Sequence, residues 1–337
     1  GPGKPVANFG WLDAYEAFKW VKAHISAFGG DPDNITAMGE SSGAGNIGDI
    51  VVGEISEERL YRRVIVQSSG GSLTGRRTLE DEQESGKKLL QYLEIEEEGL
   101  DSARLRKIPA DDLVRATYEA MPGHYFSVVN DGLTFKQRPI EAYDHERIAE
   151  VDLMIGTNAD EWYMYIDEDS TEEDLQAWLD KNAPRAGNIL RSLVPDEQNV
   201  RGVIDRLSTA KRMLCPSRYV AARVAAAGGR AWVYWFNRQR PGPGGEKLGV
   251  YHGTEIGYVF DQHEYWQSTE EMDDILTDAV MDYWVQFART GNPNVQGQPD
   301  WPRYTAAVPL VISLGEYIGP MPAPDADLCL WLDPVRQ

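Results

Sequence analysis

Cysteine, histidine and positive charge are scarce in this sequence of 337 residues. It contains two cysteines, five histidines and 33 basic residues against 54 acidic ones, so that its formal net charge is −21. A surface this acidic repels phosphate backbones and anionic membranes, which makes nucleic acids unfavourable partners. The acidity favours solubility first and, as an alternative, the attraction of cationic substrates.

Long apolar runs are also lacking. No stretch approaches the roughly 18 residues that cross a bilayer, and no signal peptide is visible. The sequence opens on Gly1-Pro2-Gly3-Lys4 instead of methionine and soon enters a helical pattern. We therefore expect that a further segment precedes it.

The two cysteines, Cys215 and Cys329, stand alone in the sequence. Neither belongs to a C-x-x-C motif, and neither has a histidine at metal-ligand spacing. We therefore expect no metal site, and the sequence does not imply an organic cofactor.

Short apolar runs alternate with amphipathic segments along the chain. Apolar residues at three- and four-residue steps from Trp11 to Phe28 predict a first helix. The last predicted helix opens on Ser268-x-x-Glu271, which is typical of a capping box. The alternation predicts an α/β fold with a mostly parallel sheet between helices. Strands are predicted at 35–38, 63–67, 151–155, 231–236 and 310–312, further helices at 82–92, 171–181, 216–227 and 268–290, and loops at 121–124, 182–187 and 240–245.

One pentapeptide is typical of a nucleophile. Gly39-Glu40-Ser41-Ser42-Gly43 fits G-x-S-x-G, in which a serine stands at a sharp turn between a strand and a helix. Glycines on both sides allow the strand and the helix to approach closely. The turn also places Ser41 at a helix N-terminus, where backbone amides favour developing negative charge. These features predict that Ser41 is a nucleophile.

A second motif overlaps the first. Gly43-Ala44-Gly45-Asn46-Ile47-Gly48 matches the dinucleotide-binding pattern G-x-G-x-x-G. Four residues separate the predicted strand from its first glycine, whereas the pattern needs that glycine at the turn. About twenty residues further on, Gln67-Ser68-Ser69 stands where an acid should bind the ribose. A nucleotide-binding oxidoreductase is therefore a minor alternative.

His252 is the favoured base among the five histidines. It follows a predicted strand and a Gly/Pro-rich loop, and catalytic residues favour loops at strand ends. In folds built around a G-x-S-x-G turn, the acid lies between the serine and the histidine in the chain. The segment 156–161, which follows a predicted strand, offers Asp160 and Glu161. Spacing alone does not decide between these two carboxylates.

These segments resemble the type B carboxylesterases, which include the cholinesterases. Gly39–Gly43 is similar to the family's G-E-S-A-G, Gly156–Glu161 to its G-x-N-x-D-E-G, and His252–Glu255 to its H-G-x-E. The matches follow the family's order and span nearly the whole chain. Further similar segments are Asn8-Phe9-Gly10-Trp11-Leu12-Asp13, Phe28-Gly29-Gly30-Asp31-Pro32, and Phe287-Ala288-Arg289-Thr290-Gly291-Asn292-Pro293-Asn294 with Trp301-Pro302-Arg303-Tyr304.

The resemblance implies an α/β-hydrolase fold. Residues 1–337 are then part of one catalytic domain, with 70–150 and 162–230 as insertions or cap-like regions around the core. The first strands of the sheet lie outside this sequence. The resemblance also implies a disulfide between Cys215 and Cys329, which indicates an oxidising location and hence a secreted or periplasmic protein.

The resemblance further implies a serine carboxylic-ester hydrolase with an acyl-enzyme intermediate on a small-molecule ester. It favours Glu161 as the acid of a triad with Ser41 and His252. The backbone N–H of Ser42 would serve the oxyanion hole, and Glu40 would help to shape the site. The alternative is a non-catalytic, cholinesterase-like adhesion protein, but such relatives typically lose triad members.

Three departures from the family pattern bear on the site. Ser42 replaces an alanine without loss of the backbone N–H, and Trp162 replaces a glycine beside the acid, which reshapes the pocket. The family's glycine-rich H-G-G segment, whose amides form most of the oxyanion hole, lies upstream of this sequence. We expect an N-terminal fragment of the same protein to complete the fold as a partner.

Overall fold

The structure is a computed structural model that describes residues 7–52, 60–70, 77–96, 102–137, 139–143, 148, 151–194 and 199–332. The opening residues 1–4, which prompted the expectation of an upstream segment, lie outside this part. The chain divides into two compact units. The smaller unit comprises Gly1–Ala14 and Gly75–Arg138, and the larger comprises Tyr15–Thr74 and Pro139–Gln337.

Eight strands occur in the described part of the chain, and six of them form the sheet of the larger unit in the order β1-β2-β5-β6-β7-β8. Neighbouring strands run parallel except for the β7–β8 pair, which is antiparallel. The expectation of a mostly parallel sheet is therefore confirmed. The strands are β1 (Thr36–Glu40), β2 (Arg63–Gln67), β3 (Arg77–Thr78), β4 (Val129–Asn130), β5 (Asp152–Asn158), β6 (Arg230–Phe236), β7 (Leu310–Leu314) and β8 (Ile318–Pro322).

Helices flank these strands, as the alternating pattern predicts. Short 3-10 turns occupy Ile25–Phe28 and Tyr163–Tyr165, and a π-helical turn occupies Ala210–Leu214. The α-helices are α1 (Phe9–His24), α2 (Ser42–Val52), α3 (Leu79–Tyr92), α4 (Ser102–Leu105), α5 (Ala110–Ala120), α6 (Pro139–Ala142), α7 (Glu172–Asn182), α8 (Gly187–Leu193), α9 (Val200–Thr209), α10 (Cys215–Ala226), α11 (Gly242–Leu248), α12 (Ile256–Val259), α13 (Glu271–Thr290) and α14 (Ala326–Trp331).

The central strands form because their apolar runs are covered on both faces. All five residues of β2 are buried, as are six of the seven residues of β5. On one face, Trp232, Tyr234 and Phe236 of β6 join one apolar cluster with residues of α13 such as Trp284 and Phe287. α2 packs against β1 and β2, and α10 packs against β5 and β6. Such burial on both faces is what the unbroken apolar runs of parallel strands indicate.

Two local predictions are wrong. The capping box of α13 does not use Ser268: the helix begins at Glu271, with Glu270 as N-cap paired to Asp273. The buried guanidinium of Arg238 fixes this start, because it binds Glu270 at 2.6 Å and Asp273 at 2.8 Å. The segment 240–245 is not wholly a loop either, since α11 begins at Gly242.

A second apolar cluster of the larger unit lies around α7, α8, α9 and α14, and it includes Cys215. A disulfide joins Cys215 to Cys329 across 114 residues of chain, with their Cα atoms 5.3 Å apart. The pairing that the resemblance implies is therefore present. It ties the start of α10 to α14.

The smaller unit has its own contacts. The side-chain amide of Asn8 donates to Val129 O at 3.0 Å, and its oxygen accepts from Val129 N at 2.8 Å. The rings of Trp11 and Phe135 meet edge to face at 4.9 Å. The predicted insertion 70–150 overlaps this unit, whereas 162–230 lies in the larger one, and their role as insertions stays a prediction. Among the described helices, none has the length and apolarity that a membrane crossing needs.

Candidate active site

The sharp turn that carries Ser41 joins β1 to α2. β1 ends at Glu40, α2 begins at Ser42, and Ser41 between them has a φ of +53°, which a non-glycine residue rarely adopts. Ser41 N donates to the carbonyl oxygen of Gln67 at 2.9 Å, and Ser41 O accepts from Gly45 N at 3.0 Å. Both backbone groups of Ser41 are thus used to hold the turn, as expected at a strained position.

Only one of the two flanking glycines is needed for close packing. A Cβ at Gly39 would lie 2.7 Å from the carbonyl carbon of Gly43 and 2.8 Å from Ala44 N, so only glycine lets β1 and α2 approach this closely. At Gly43 a Cβ would meet no atom within 4 Å outside its own helix turn, so the same expectation is wrong there. The glycines of the dinucleotide pattern, at 43–48, lie inside α2 instead of at the turn.

His252 links Ser41 to Glu161. Its Nε2 lies 2.8 Å from Ser41 Oγ, and its Nδ1 lies 2.5 Å from Glu161 Oε2. The imidazole stands in the turn that follows Val250, whose backbone is paired with Asp160. The structure thus brings together three predicted site residues that are 91 and 211 positions apart in sequence.

Glu161 is a fully buried carboxylate with every oxygen occupied. Its Oε1 accepts from Thr157 Oγ1 at 2.6 Å and from Asn158 N at 2.7 Å, so Oε2 faces the imidazole. Its backbone N donates to Thr209 Oγ1 at 3.1 Å. These contacts fix the carboxylate in the orientation that an imidazole-orienting acid needs.

Asp160 makes different contacts from Glu161, although spacing in the sequence did not distinguish the two carboxylates as candidate acids. Its Oδ2 accepts from Val250 N at 2.7 Å, and its own backbone N donates to Val250 O at 3.1 Å. Asp160 therefore fixes the loop that carries His252. Burial raises the pKa of Asp160, and the neighbouring charge of Glu161 raises it further, while the hydrogen bond from Val250 opposes both.

Glu255 is a site residue that sequence reasoning did not single out. It is fully buried, with Oε1 accepting from Gln67 Nε2 at 2.9 Å and Oε2 from Asn158 Nδ2 at 2.6 Å. Burial raises its pKa, and the charge of Glu161 adds to the effect. The available signal was its position three residues after His252, in the segment that resembles H-G-x-E.

Glu40 brings a third carboxylate to the imidazole. Its Oε1 lies 3.3 Å from His252 Nε2. Burial raises the pKa of Glu40 to about 7, and the negative charges of Glu255 and Glu161 also raise it. The positive charge of His252 opposes this shift. Burial alone would lower the pKa of His252. The hydrogen bond and charge of Glu161 outweigh this effect, together with the charges of Glu40 and Glu255, and raise the pKa above 6.5. These carboxylates therefore stabilise the imidazolium form of His252 relative to that of a free histidine.

Aromatic side chains line one side of His252. The rings of Trp162 and Tyr165 lie 6.3 and 6.4 Å from the imidazole, and Arg212 lies 5.0 Å above the Trp162 ring. Trp162 stands where the family pattern has glycine, so an aromatic ring lies beside the imidazole on this side. The described residues contain no cluster of histidine, cysteine and carboxylate groups that could hold a metal ion.

Ser42 is the first residue of α2, so its backbone N–H is one of the donors that a helix leaves unpaired at its N-terminus. It lies next to the nucleophile turn, where such a donor can meet a developing oxyanion. That role for Ser42 stays a prediction.

Comparison with known proteins identifies the family of this chain. A model of the carboxylesterase family matches residues 4–319. Para-nitrobenzyl esterase of Bacillus subtilis is 30% identical over 318 residues, which cover 88% of this chain and 61% of that protein. Cocaine esterase of Homo sapiens is 27% identical over 340 residues, which cover 90% and 58%. The chain thus spans about three fifths of the length of these relatives.

Solved structures of esterases share the fold. A PNB esterase structure matches with a TM-score of 0.83 at 27% identity, over 97% of this chain and 68% of that chain. A carboxylesterase of Geobacillus stearothermophilus, at pH 6.2, matches with a TM-score of 0.83 at 26% identity, over 96% and 69%. The architecture that the sequence predicts, a mostly parallel sheet flanked by helices, is that of these proteins.

Proposed function

The chain belongs to the carboxylesterase family, and from that membership and the geometry of its site we propose that it hydrolyses carboxylic esters through an acyl-enzyme on Ser41. The observation that carries the proposal is the continuous chain of hydrogen bonds from Ser41 Oγ through His252 to Glu161 Oε2. A hydroxyl, an imidazole and a buried carboxylate in this order are the parts that nucleophilic ester cleavage requires.

Acylation begins when His252 Nε2 takes the proton of Ser41 as Oγ attacks the ester carbonyl. Glu161 keeps Nδ1 protonated and stabilises the imidazolium that forms. The backbone N–H of Ser42 donates to the oxyanion. His252 then protonates the leaving alcohol, accepts a proton from water, and thereby supports hydrolysis of the acyl-enzyme to free acid and Ser41.

The oxyanion needs more than one donor, since the loss of a single donor typically costs about a hundred- to a thousand-fold in rate. We propose that an N-terminal segment of the same protein supplies the others, as the family resemblance suggests. The share of its relatives that this chain spans, 61% and 58%, is compatible with such a segment.

The proposal is tested by a fluorophosphonate probe, which reacts with an activated serine. We expect one label per site, located at Ser41 by peptide mapping, and no label on Ser41→Ala. An unlabelled wild-type protein would favour the non-catalytic adhesion alternative. Intact-mass spectrometry of the same sample tests the N-terminal segment: an active, labelled, monomeric species of only 37.8 kDa would defeat it.

The charge of Glu40 is expected to tune the pH profile. Glu40→Gln keeps the shape of the side chain but removes the charge that helps to raise the pKa of His252. The variant's imidazole should therefore lose its proton at lower pH, and the acid limb of kcat/KM should shift to lower pH. Above about pH 7, Glu40 is ionised in the wild type, and its negative charge stabilises the imidazolium. Because Glu40→Gln lacks this charge, its kcat/KM in that range should be about tenfold lower than that of the wild type.

Aryl-ester hydrolysis measured from about pH 5 to about pH 9 checks this expectation. Glu168→Gln is the matched control, because Glu168 is exposed and its carboxylate pairs with Lys247 at 3.5 Å instead of with His252. A ratio of wild type to Glu40→Gln that stays constant across this range would contradict the proposed role of the charge.

We also propose a secreted or periplasmic location, because the Cys215–Cys329 disulfide suits an oxidising compartment. Its removal in Cys215→Ala/Cys329→Ala is expected to lower the free energy of unfolding by about 4 kcal/mol, since the bond closes a long loop in the unfolded chain. Chemical denaturation of the two proteins measures the difference. Equal stabilities, or recovery of the native protein with both thiols free, would count against the proposal.

A further inference from the structure

One face of α9 lies against the segment that carries the acid of the candidate active site. Arg201, Asp205 and Thr209 follow one another at four-residue steps, so their side chains share that face of the helix. All three residues are buried, with 8%, 2% and 2% of their surfaces exposed. We call these three residues the α9 stripe.

Two members of the stripe accept backbone N–H groups at the acid. Thr209 Oγ1 accepts from Glu161 N at 3.1 Å, and Asp205 Oδ1 accepts from Trp162 N at 2.8 Å. The two acceptors are joined to each other, since Thr209 Oγ1 donates to Asp205 Oδ1 at 3.3 Å. Because this bond uses the only proton of the Thr209 hydroxyl, the oxygen is left to accept from Glu161.

The third member, Arg201, holds the next residue of the segment. Its guanidinium donates to Tyr163 O through Nε at 3.1 Å and through Nη2 at 2.7 Å, and it lies 3.9 Å from the centre of the Tyr163 ring. Three successive residues, 161–163, are thus each bound by one member of the stripe, in reverse order along the helix. This one-to-one pairing distinguishes the stripe from an incidental contact.

The helix that carries the stripe is itself held at its C-terminal end. α9 continues through the π-helical turn Ala210–Leu214 into α10, and such turns are frequent at functional sites. Gly70 has a positive φ, and a Cβ there would collide with Arg212 O, so glycine lets the loop after β2 support this turn. Cys215, directly after the turn, is bonded to Cys329. The stripe therefore has a fixed support.

We propose that Arg201, Asp205 and Thr209 are positioning residues of the relay. They hold 161–163 so that the carboxylate of Glu161 stays on His252 Nδ1. This inference rests on the proposed ester hydrolysis, in which that contact orients the imidazole. A displacement of about 1 Å that originates away from the reacting atoms can cost about a hundredfold in rate. The stripe should therefore act mainly on kcat.

The stripe uses the oxygen of Asp205 and not its charge. Burial raises the pKa of Asp205 to about 8, and the charge of Asp160 raises it as well, whereas the hydrogen bonds from Trp162 and Thr209 lower it. Below that pH the carboxyl group is largely uncharged, and an asparagine can replace it as the acceptor.

Thr209→Val tests the proposal, because valine has the shape of threonine but cannot accept from Glu161 N. We expect kcat for an aryl ester to fall at least about tenfold, with KM within about twofold of the wild-type value. The acid limb of kcat/KM should move to lower pH, because a displaced Glu161 raises the pKa of His252 less. Thr209→Ser keeps the hydroxyl and should restore both properties.

Thr277→Val is the matched control. Thr277 is a buried threonine of α13 whose Oγ1 donates to Asp273 O at 2.8 Å and meets His263 Nε2 at 3.0 Å. Its substitution also removes a buried hydroxyl, but not one that contacts 161–163, so kcat and the acid limb should not move. Circular dichroism and thermal unfolding establish that each variant is folded. A folded Thr209→Val with the kcat and acid limb of Thr277→Val would overturn the proposal.

The other two members decide the matter if Thr209→Val does not fold. Asp205→Leu should lower kcat and shift the acid limb as Thr209→Val does, whereas Asp205→Asn should match the wild type below about pH 8. Arg201→Met keeps the aliphatic stem against Tyr163 but loses the donors to its carbonyl oxygen, and it should shift kcat and the acid limb in the same direction. A folded Arg201→Met that matches the wild type in both would refute the stripe.

Failure of this inference differs from failure of the proposed function. If the wild type is labelled at Ser41 and hydrolyses the ester while the stripe variants match their controls, the positioning role is refuted and the esterase function stands. If the wild type is neither labelled nor active, the function is refuted and the positioning role with it.

Discussion

Ser41→Ala is expected to lower kcat/KM for a simple aryl ester by about four to six orders of magnitude. Without Oγ no acyl-enzyme can form, and water must attack the ester carbonyl directly. The remaining rate would come from the oxyanion donors and from substrate binding. Initial rates with a para-nitrobenzyl or para-nitrophenyl ester, on protein freed of wild-type contamination, measure the loss.

The fold should survive this substitution. Only the hydroxyl of Ser41 is removed, its hydrogen-bond partner is His252, and the backbone bonds that hold the turn remain. Ser192→Ala is the matched control, because Ser192 is an exposed serine on α8. Retained hydrolysis in a folded Ser41→Ala, with Ser192→Ala unchanged, would overturn the assignment of the nucleophile.

Much of the sheet could be predicted because its strands are short apolar runs that are covered on both faces. The bounds of β2 agree with the prediction at 63–67, where every residue is buried. The start of α13 could not be read from local sequence. Ser268 offers a good capping pattern, but the helix begins later because Arg238, from a distant strand end, binds Glu270 and Asp273.

In the candidate site, too, some features could be predicted from the sequence and others could not. The turn at Ser41 was predictable, because its constraint is local: a residue with positive φ beside a glycine that admits no Cβ. The choice between Asp160 and Glu161 was not, since both follow β5 and both are acidic. It depends on contacts with the His252 loop and with Thr209, which lie 48 or more positions away in the chain.

The burial of Glu255 in the site could not be predicted from its spacing in the sequence either. Its side chain points to Gln67 and Asn158, which come from two neighbouring strands, so its burial follows from strand order. Together with Glu40 and Glu161 it makes the surroundings of His252 strongly negative. An imidazole in such surroundings is a good proton acceptor, which suits a base that must take a proton from a serine hydroxyl.

Glu161→Gln is expected to lower kcat by about four orders of magnitude, although the side chain keeps nearly the same shape. The amide oxygen can still accept from Thr157 and Asn158, which leaves the amide NH2 group facing His252 Nδ1. Two donors cannot share a proton, so the imidazole is driven to the tautomer that is protonated on Nε2. In that tautomer Nε2 cannot accept the proton of Ser41.

The same variant should shift the pH profile. Glu161 contributes a hydrogen bond and a charge that raise the pKa of His252, so their loss lowers it and moves the acid limb of kcat/KM to lower pH. Asp160→Asn is the discriminating control, because an asparagine oxygen still accepts from Val250 N and the relay to Ser41 is intact. We expect it to lose less than about tenfold in kcat, since only a charge that does not contact the imidazole is removed. If Asp160→Asn proves the more damaging of the two, the acid of this relay is Asp160 and not Glu161.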